Sequence, residues 1–410
     1  MVSDKVAIIG AGMTRFHHSL HIDKSAREMF IEAFTDCVGS VDKGMNHKDI
    51  EALFIANTVS ELFEHQSHLS SLIPDWLGLL PIPSTRIETA CASSSTALEM
   101  GVLAIASGMY DMVLVGGLEK MTALRTDEVT WALMSGMDQV YESPQGVSNP
   151  ALYAMMGMAH FKKYGSSWDQ LASISIKNHY NASLNPKAQY QSEVIDIAKK
   201  VGQKKGLSFK NEMDFLKSDA NPYVAYPLRL FDCSPISDGA STLILASAKK
   251  AKEFTDTPIY ISGIGHTSGT MSLHDREDLT TIPAAVEAGK RAHKMAVTKP
   301  KDIDLAMVHD CFTPAEMIAT EDLGFFKKGE GGKAAEEGRT SLKGEIPINT
   351  DGGLKAKGHP IAATGTAMTH EIWKQLRGEA DKRQIQNAET GLTHNVGATG
   401  GTAVVQIFKR

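Results

Sequence analysis

The sequence predicts an α/β protein of two similar halves, the first interrupted by a helical excursion. Three observations carry this expectation. Short apolar runs alternate along the chain with longer helical patterns, as expected where helices cover both faces of buried sheets. Two of those runs recur at one spacing. Ile8 in Val-Ala-Ile-Ile-Gly-Ala-Gly matches Ile261 in Ile-Tyr-Ile-Ser-Gly-Ile-Gly (261 − 8 = 253), and Phe54 matches Met307 (307 − 54 = 253). A shared offset of this kind marks an internal duplication. Finally, between about residues 120 and 221 the apolar runs give way to sequence rich in Met, Tyr, Lys and Asn. The expected division is therefore 1–250 for the first half, with its insertion at about 120–221, and 251–410 for the second.

Composition bounds the class. Hydrophobic residues make up 42% of the chain and charged residues 22%, with 35 glycines, which fits a large-cored α/β enzyme. A net charge of −6 argues against a nucleic-acid surface, which would need a basic stripe. The four cysteines, Cys37, Cys91, Cys233 and Cys311, lie far apart with no CxxC pair, as in a reducing cytoplasm. No apolar stretch is long enough to span a bilayer. The N-terminal residues lack the basic segment and apolar run of a secretory leader. A cytoplasmic protein is expected.

In chain order, Val6–Ile9 and Ala52–Ile55 read as the first buried strands. Next comes Cys91, in Glu-Thr-Ala-Cys-Ala-Ser-Ser-Ser-Thr, opening a helix of small residues over Ala92–Met109. A cysteine there meets free N–H groups and the positive end of the helix dipole, both favouring thiolate. A packed core cysteine is the competing reading of this residue alone. Met112–Val115 is a further strand; the excursion follows, and Asn221–Asp238 returns the chain to the sheet at Thr242–Ala246.

The second half opens with strands Ile259–Ser262 and Leu305–Val308. Directly after the latter stands His309-Asp310-Cys311-Phe312, where a strand end commonly points into the site of an α/β sheet. Lys327–Thr340 reads as a solvated loop. Gly352-Gly353-Leu354-Lys355-Ala356-Lys357-Gly358-His359-Pro360 then precedes a helix over Ile361–Leu376, with Pro360 at its favoured first position. Proximity to a helix N-terminus keeps His359 neutral and able to accept a proton. Lys355 and Lys357 read as solvated. His394-Asn395-Val396-Gly397 belongs to a glycine-rich turn before the last strand, Ala403–Ile407, and its N–H groups suit an oxyanion hole.

Two tempting motifs fail. The Gly10-Ala11-Gly12 and Gly263-Ile264-Gly265 runs lack the third glycine of a dinucleotide fingerprint, with Arg15 and Ser268 in its place. His17, His18, His21, His65 and His68 have no partner at ligand spacing, so surface histidines rather than a metal site are expected.

Taken in order, the blocks around Cys91, His309–Phe312, Gly358–Pro360 and His394–Gly401, with Asp232–Ala240, resemble the thiolase superfamily. The resemblance is to its sterol-carrier-protein type and archaeal branch, and covers essentially the whole chain. It implies a five-layered αβαβα fold of two duplicated halves with an inserted loop domain. By resemblance Cys91 is the acylated nucleophile, His359 its activator, His309 the enolate-oxygen donor together with a water, and Cys311 the acid/base. Most biosynthetic members carry a second catalytic cysteine where this chain has Asn395. Gly397 matches the backbone donor that joins the Cys91 N–H in an oxyanion hole, and Met156 and Gly157 match the pair lining the acyl pocket. The implied reaction is reversible condensation of two acetyl-CoA to acetoacetyl-CoA and CoA, with no metal and no cofactor beyond the coenzyme A thioesters. A homodimer or tetramer is implied. So are partnership with hydroxymethylglutaryl-CoA synthase through a small zinc-ribbon/OB-fold bridging protein, and a place in the mevalonate route. Competing readings are a longer-chain 3-ketoacyl-CoA thiolase and a weakly active acyl-CoA-binding scaffold subunit. A ketoacyl synthase is disfavoured by Cys311 and the Gly-His-Pro block, and a hydroxymethylglutaryl-CoA synthase by the lack of a convincing glutamate base.

Overall fold

Strand β1 (Val6–Met13) shows why the strands of this chain read as unbroken apolar runs. Ala7 and Ile9 share a core with Met29, Phe30 and Ala33 of helix Ala26–Gly39, whereas Val6 and Ile8 share another with Ala97, Leu98 and Val102 of helix Ser93–Ala106. Both faces of the strand are covered, so no polar alternation survives. The computed structural model describes residues 4–410; residues 1–3, on which the N-terminal reading partly rests, lie outside the described residues.

The remaining strands are β2 (Ala52–Ala56), β3 (Ser84–Ile87), β4 (Met112–Glu119), β5 (Tyr223–Ala225), β6 (Leu228–Arg229), β7 (Gly239–Ser247), β8 (Ile259–Ser268), β9 (Leu305–Val308), β10 (Thr390–Gly397) and β11 (Thr402–Lys409). Nine of the strands form one sheet in the order β3-β2-β4-β7-β1-β8-β11-β10-β9. The halves meet where β1 and β8 pair antiparallel through Ala7↔Tyr260 and Ile8↔Ile259. Outward from that junction the same pattern is met twice. β1 pairs β7 antiparallel, β7 pairs β4 antiparallel, and β4 pairs β2 parallel. β8 pairs β11 antiparallel, β11 pairs β10 antiparallel, and β10 pairs β9 parallel. The duplication read from the 253-residue offset is thus repeated in hydrogen-bond topology; β1 and β8 themselves begin at Val6 and Ile259, again 253 apart (259 − 6).

Helices Ser93–Ala106 and Thr364–Arg377 pack on each other between the two half-sheets, while Ala26–Gly39 and Pro283–Ala296 cover the outer faces. That is the five-layered αβαβα arrangement. The excursion forms helices Thr126–Met134, Asn149–Tyr164, Trp168–Ser183, Val194–Lys205 and Glu212–Lys217, then the β5–β6 hairpin. No helix among the described residues is long and apolar enough to cross a membrane.

Three local expectations are corrected. Of the segment read as a glycine-rich turn, residues 398–401 are a turn, but His394–Gly397 end strand β10, whose buried His394 and Asn395 interrupt the apolar run that would have announced it. Lys327–Thr340 is not wholly a solvated loop: it contains helix Gly331–Glu336, with Gly331, Gly332, Ala334 and Ala335 buried. Pro360 precedes a short 3-10 turn, Ile361–Ala363, and the α-helix starts only at Thr364.

Candidate active site

The corner at Thr89–Ser93 is built by its hydroxyls. The Thr89 N–H donates to Ser93 Oγ at 2.9 Å, Ser93 Oγ donates to the Ala90 carbonyl at 2.6 Å, and the Thr89 and Thr96 hydroxyls pair at 2.8 Å. Together they hold Ala90 at φ 51°, a left-handed conformation costly for a residue with a Cβ. The corner delivers Cys91 to the mouth of helix Ser93–Ala106.

His359 arrives from the other half. Its N–H donates to Ser237 Oγ at 3.1 Å, and its Nδ1 lies 2.7 Å from Thr364 Oγ1, which leaves Nε2 for the site. His309, at the end of β9, sets its ring edge-on to His359 with centroids 5.4 Å apart. Its Nδ1 lies 3.0 Å from Asn395 Oδ1, and its Nε2 is buried without a partner. Asn395 reaches on to Ser95 Oγ at 3.2 Å, at the start of the nucleophile's own helix. The Cys91 sulfur and a ring nitrogen from each histidine all lie within 4.8 Å of one another. Two imidazole nitrogens and one sulfur are also a donor set that a soft divalent ion accepts.

Cys91, Cys311 and His359 line one cavity of about 340 Å³, closed by Thr126, Thr130, Leu133 and Pro150 of the excursion and by Ile236, Phe312 and Ile361. Its walls are mostly apolar, and they dominate the electrostatics of the site. Burial pushes the Cys91 thiol up to about 12, against the pull of the Ala398 N–H directed at its sulfur. Cys91 therefore rests as a neutral thiol, a correction to the thiolate expected from its helix position: desolvation outweighs the dipole. Burial likewise drives Cys311 well above the ordinary thiol range. It holds His309 at about 4 and His359 well below 6.5, with His309 and Lys357 adding to the depression of His359. A neutral thiol thus faces neutral imidazoles.

Behind the site, the buried Asp310 accepts from the Leu354 N–H at 2.6 Å, the Lys355 N–H at 3.3 Å and Asn178 Nδ2 at 2.7 Å. It thereby staples the His309–Phe312 segment to the short helix Gly353–Lys357 that leads into His359. Burial, then repulsion from Glu316, raises its carboxyl to about 8. Lys355 and Lys357 are not solvated as expected; both are 1% exposed. Lys357 pairs with the buried Asp351, while Lys355 donates to His179 Nε2 at 3.5 Å.

Of the predicted site residues, the structure gathers Cys91, His309, Cys311 and His359. Gly397 lies against Thr89, beside the Cys91 corner, and its neighbour Ala398 directs its N–H at the Cys91 sulfur. Met156 and Gly157 do not line the cavity; Gly157 faces Pro314, and Tyr153, one turn earlier on the same helix, lines it instead. Cys233 also reaches the cavity wall. Nothing in the sequence marks Tyr153, whereas Thr364, a hydroxyl five residues beyond His359, is the kind of partner a helix-start histidine invites.

Comparison with known proteins bears on this arrangement. Residues 6–249 match the family model described as thiolase, N-terminal domain, and residues 265–410 that described as thiolase C-terminal domain-like. The chain is 48% identical over 405 residues to an acetyl-CoA acetyltransferase of Methanothermobacter thermautotrophicus, covering 99% of each. It is 42% identical to one of Methanocaldococcus jannaschii, covering 98% of each. Human sterol carrier protein 2 is 29% identical, over 99% of this chain and 72% of that protein. Among solved structures, an Ltp2-ChsH2(DUF35) aldolase superposes with a TM-score of 0.80 at 20% identity, over 99% of this chain and 98% of that one. Human mitochondrial 3-ketoacyl-CoA thiolase superposes at 0.72 and 17% identity, over 98% of each; both likenesses are of fold.

Proposed function

The chain belongs to the thiolase family of acyltransferases, and from that membership we propose that it catalyses the reversible Claisen condensation of two acetyl-CoA to acetoacetyl-CoA. The observation that carries this reading is the meeting of Cys91, Cys311 and His359 at one apolar cavity, with a His309 ring nitrogen within 4.8 Å of the Cys91 sulfur.

In the first half-reaction His359 Nε2 takes the Cys91 proton as the sulfur attacks the thioester carbonyl. The C–S bond to coenzyme A breaks, and the proton passes to the departing thiolate. The Cys91 and Gly397 N–H groups receive the carbonyl oxygen's developing charge. A second acetyl-CoA then enters. His359, neutral again, takes the Cys311 thiol proton; the Cys311 thiolate then takes a methyl proton, and the electron pair becomes the enolate that attacks acetyl-Cys91. When the new carbon–carbon bond has formed and Cys91 departs, His359 returns its proton to the Cys91 sulfur, and Cys311 keeps the methyl proton as its thiol.

The enolate oxygen needs a donor, and a neutral imidazole donates through one nitrogen only. With Asn395 Oδ1 against His309 Nδ1, that proton sits on Nδ1. A half-turn of the Asn395 carboxamide, exchanging its oxygen and nitrogen between His309 and Ser95, places it on Nε2, which is buried without a partner. We assign Asn395, which replaces the usual second cysteine, this tautomer-setting role.

The reaction as written needs neither a metal nor a cofactor beyond coenzyme A. A cytoplasmic homodimer or tetramer belongs to the same reading. So does delivery of acetoacetyl-CoA to hydroxymethylglutaryl-CoA synthase through a small bridging protein, in a route to mevalonate. Native purification free of either partner would count against that assembly. The apolar cavity favours one second reading, cleavage of longer 3-ketoacyl-CoA chains, which a comparison of acetoacetyl-CoA with six- and eight-carbon substrates decides.

The test is acetoacetyl-CoA cleavage with free CoA. Wild type should turn over, and Cys91→Ala and Cys311→Ser should each lose on the order of a thousandfold or more, as expected when a nucleophile or its proton partner is removed. Activity surviving in Cys311→Ser would move the proton transfer elsewhere. An inactive wild type would overturn the reading.

A further inference from the structure

Tyr153 stands in the cavity wall with no part in the steps above. It belongs to helix Asn149–Tyr164, is 1% exposed, and tilts its ring against Phe312 with centroids 5.0 Å apart, beside Cys311. Its hydroxyl donates to the Ala398 carbonyl at 3.0 Å, and it shares the cavity wall with the Cys311 thiol, whose ionisation it favours. Ala398 is itself held at φ 51°, with its N–H on the Cys91 sulfur. One phenol group therefore binds the backbone of the nucleophile's pocket and faces the sulfur of the acid/base.

A phenol has a single proton to give. While Cys311 is a thiol, that proton rests on the Ala398 carbonyl. Once Cys311 has given its proton to His359, the sulfur becomes the stronger acceptor, because a hydrogen bond to a charged partner is about twice as strong as a neutral one. Of the other groups facing Cys311, the Phe312 backbone N–H favours its ionisation, whereas Cys91 and Asp310 oppose it. Arg276 faces Tyr153 from the loop after β8 but is itself tied to the Thr399 carbonyl at 2.7 Å.

We propose that Tyr153 is a catalytic residue of the condensation step: its hydroxyl turns from the Ala398 carbonyl to the Cys311 sulfur and sustains the thiolate that takes the substrate's methyl proton. The proposal rests on the thiolase reading above. No proton leaves Tyr153. The methyl C–H bond breaks, its proton forms the S–H bond of Cys311, its electron pair enters the enolate, and the hydroxyl swings back.

The test separates the two half-reactions. Acetylation of Cys91 by acetyl-CoA is followed by intact mass, and exchange of the acetyl-CoA methyl protons in D2O by NMR across pH. Tyr153→Phe keeps the ring on Phe312 and removes only the hydroxyl. Its exchange should fall at least tenfold further than its acetylation, and the pH at which exchange rises should move upward. Replacing Tyr153 with 3-fluorotyrosine, a stronger donor, should move that rise downward, which keeps the proposal testable if Tyr153→Phe folds poorly. An unmoved rise in both variants, or parallel loss of both half-reactions, would overturn the proposal and reduce the hydroxyl to a strut for Ala398. Failure of the thiolase reading is distinct, since wild type would then neither acetylate Cys91 nor exchange.

Discussion

Lys355 carries its amine into the interior with no carboxylate at ion-pair distance among the described residues. Burial lowers it from the ordinary 10.5 to about 8, with Cys233 and Asp232 pulling it back up. The sign follows from linkage. Between pH 8 and 10.5 the unfolded chain holds a proton that the folded one has shed, so stability rises with pH across that window. Below pH 8 the fold carries the whole penalty, on the order of 3 kcal/mol. Lys355→Met keeps the aliphatic stem and removes the charge. It should raise the urea midpoint at pH 7 and flatten the rise between pH 8 and 10.5; a lower midpoint with an unchanged slope would contradict the argument. The sequence could not show this, because Gly-Gly-Leu-Lys-Ala-Lys-Gly reads as solvent-facing by composition. What buries it is tertiary: residues 353–357 run under helix Trp168–Ser183, where Gly352 has no room for a Cβ against Ala182. His359 was legible for the opposite reason, since a histidine and a proline after glycines before a helix define their own geometry. Tyr153 and Asn395 take their roles from contacts with Ala398, Cys311 and His309, which no local pattern encodes.

The paired glycines that fail as a nucleotide fingerprint have a packing purpose in both halves. A Cβ at Gly12 would meet the Cys37 N and the Ala33 carbonyl of helix Ala26–Gly39, and one at Gly265 would meet the Ala288 carbonyl of helix Pro283–Ala296, each well inside van der Waals range. Gly12 and Gly265 stand 253 residues apart (265 − 12), so the duplication preserved the close approach of strand to helix as well as the strands. Gly265→Ala must push the outer helix away from β8 and should cost roughly 2–4 kcal/mol, read as a lower thermal midpoint. Gly39→Ala is the control: that glycine ends a helix in open space, and the change should be neutral or stabilising by up to about 1 kcal/mol. Equal effects from the two would sink the packing explanation. Strands such as Leu305–Val308 were readable to the residue because both faces are covered. β3 was not, being a four-residue strand at the sheet edge with a partly exposed Ser-Thr-Arg-Ile pattern. β10 was hidden by the polar residues that the site requires of it.

Across the whole molecule, the first half contributes Cys91 and the second contributes His309, Cys311 and His359, so the site exists only while the two halves stay docked. The neutral imidazoles of that interface also tie the fold to pH. Burial holds His309 at about 4 and His370 and His394 at about 3, and puts His179 and His359 well below 6.5. Each refuses in the folded state a proton that it accepts when unfolded. Their contribution is complete above pH 6.5 and is lost as pH falls toward those lower values. Buried carboxyls work in the opposite sense: Glu119, raised to about 7, and Asp310, raised to about 8, bind protons in the fold first, with Asp232, Asp322 and Asp351 shifted in the same direction. Near pH 5 the unfolded histidines are almost fully charged, so each of the five takes up close to one proton on unfolding, against the one apiece that Glu119 and Asp310 release. Each net proton taken up on unfolding removes about 1.4 kcal/mol per pH unit. Four of the five, all but His179, lie on or beside β9, β10 and helix Thr364–Arg377. Acidification from pH 7 to 5 should therefore lower the urea midpoint. Amide protection should fail in β9, β10 and that helix before it fails in β1, β4 and β7. A flat midpoint over that range, or first loss in the first-half strands, would mean that the buried carboxyls rather than the histidines govern the acid limit of the fold.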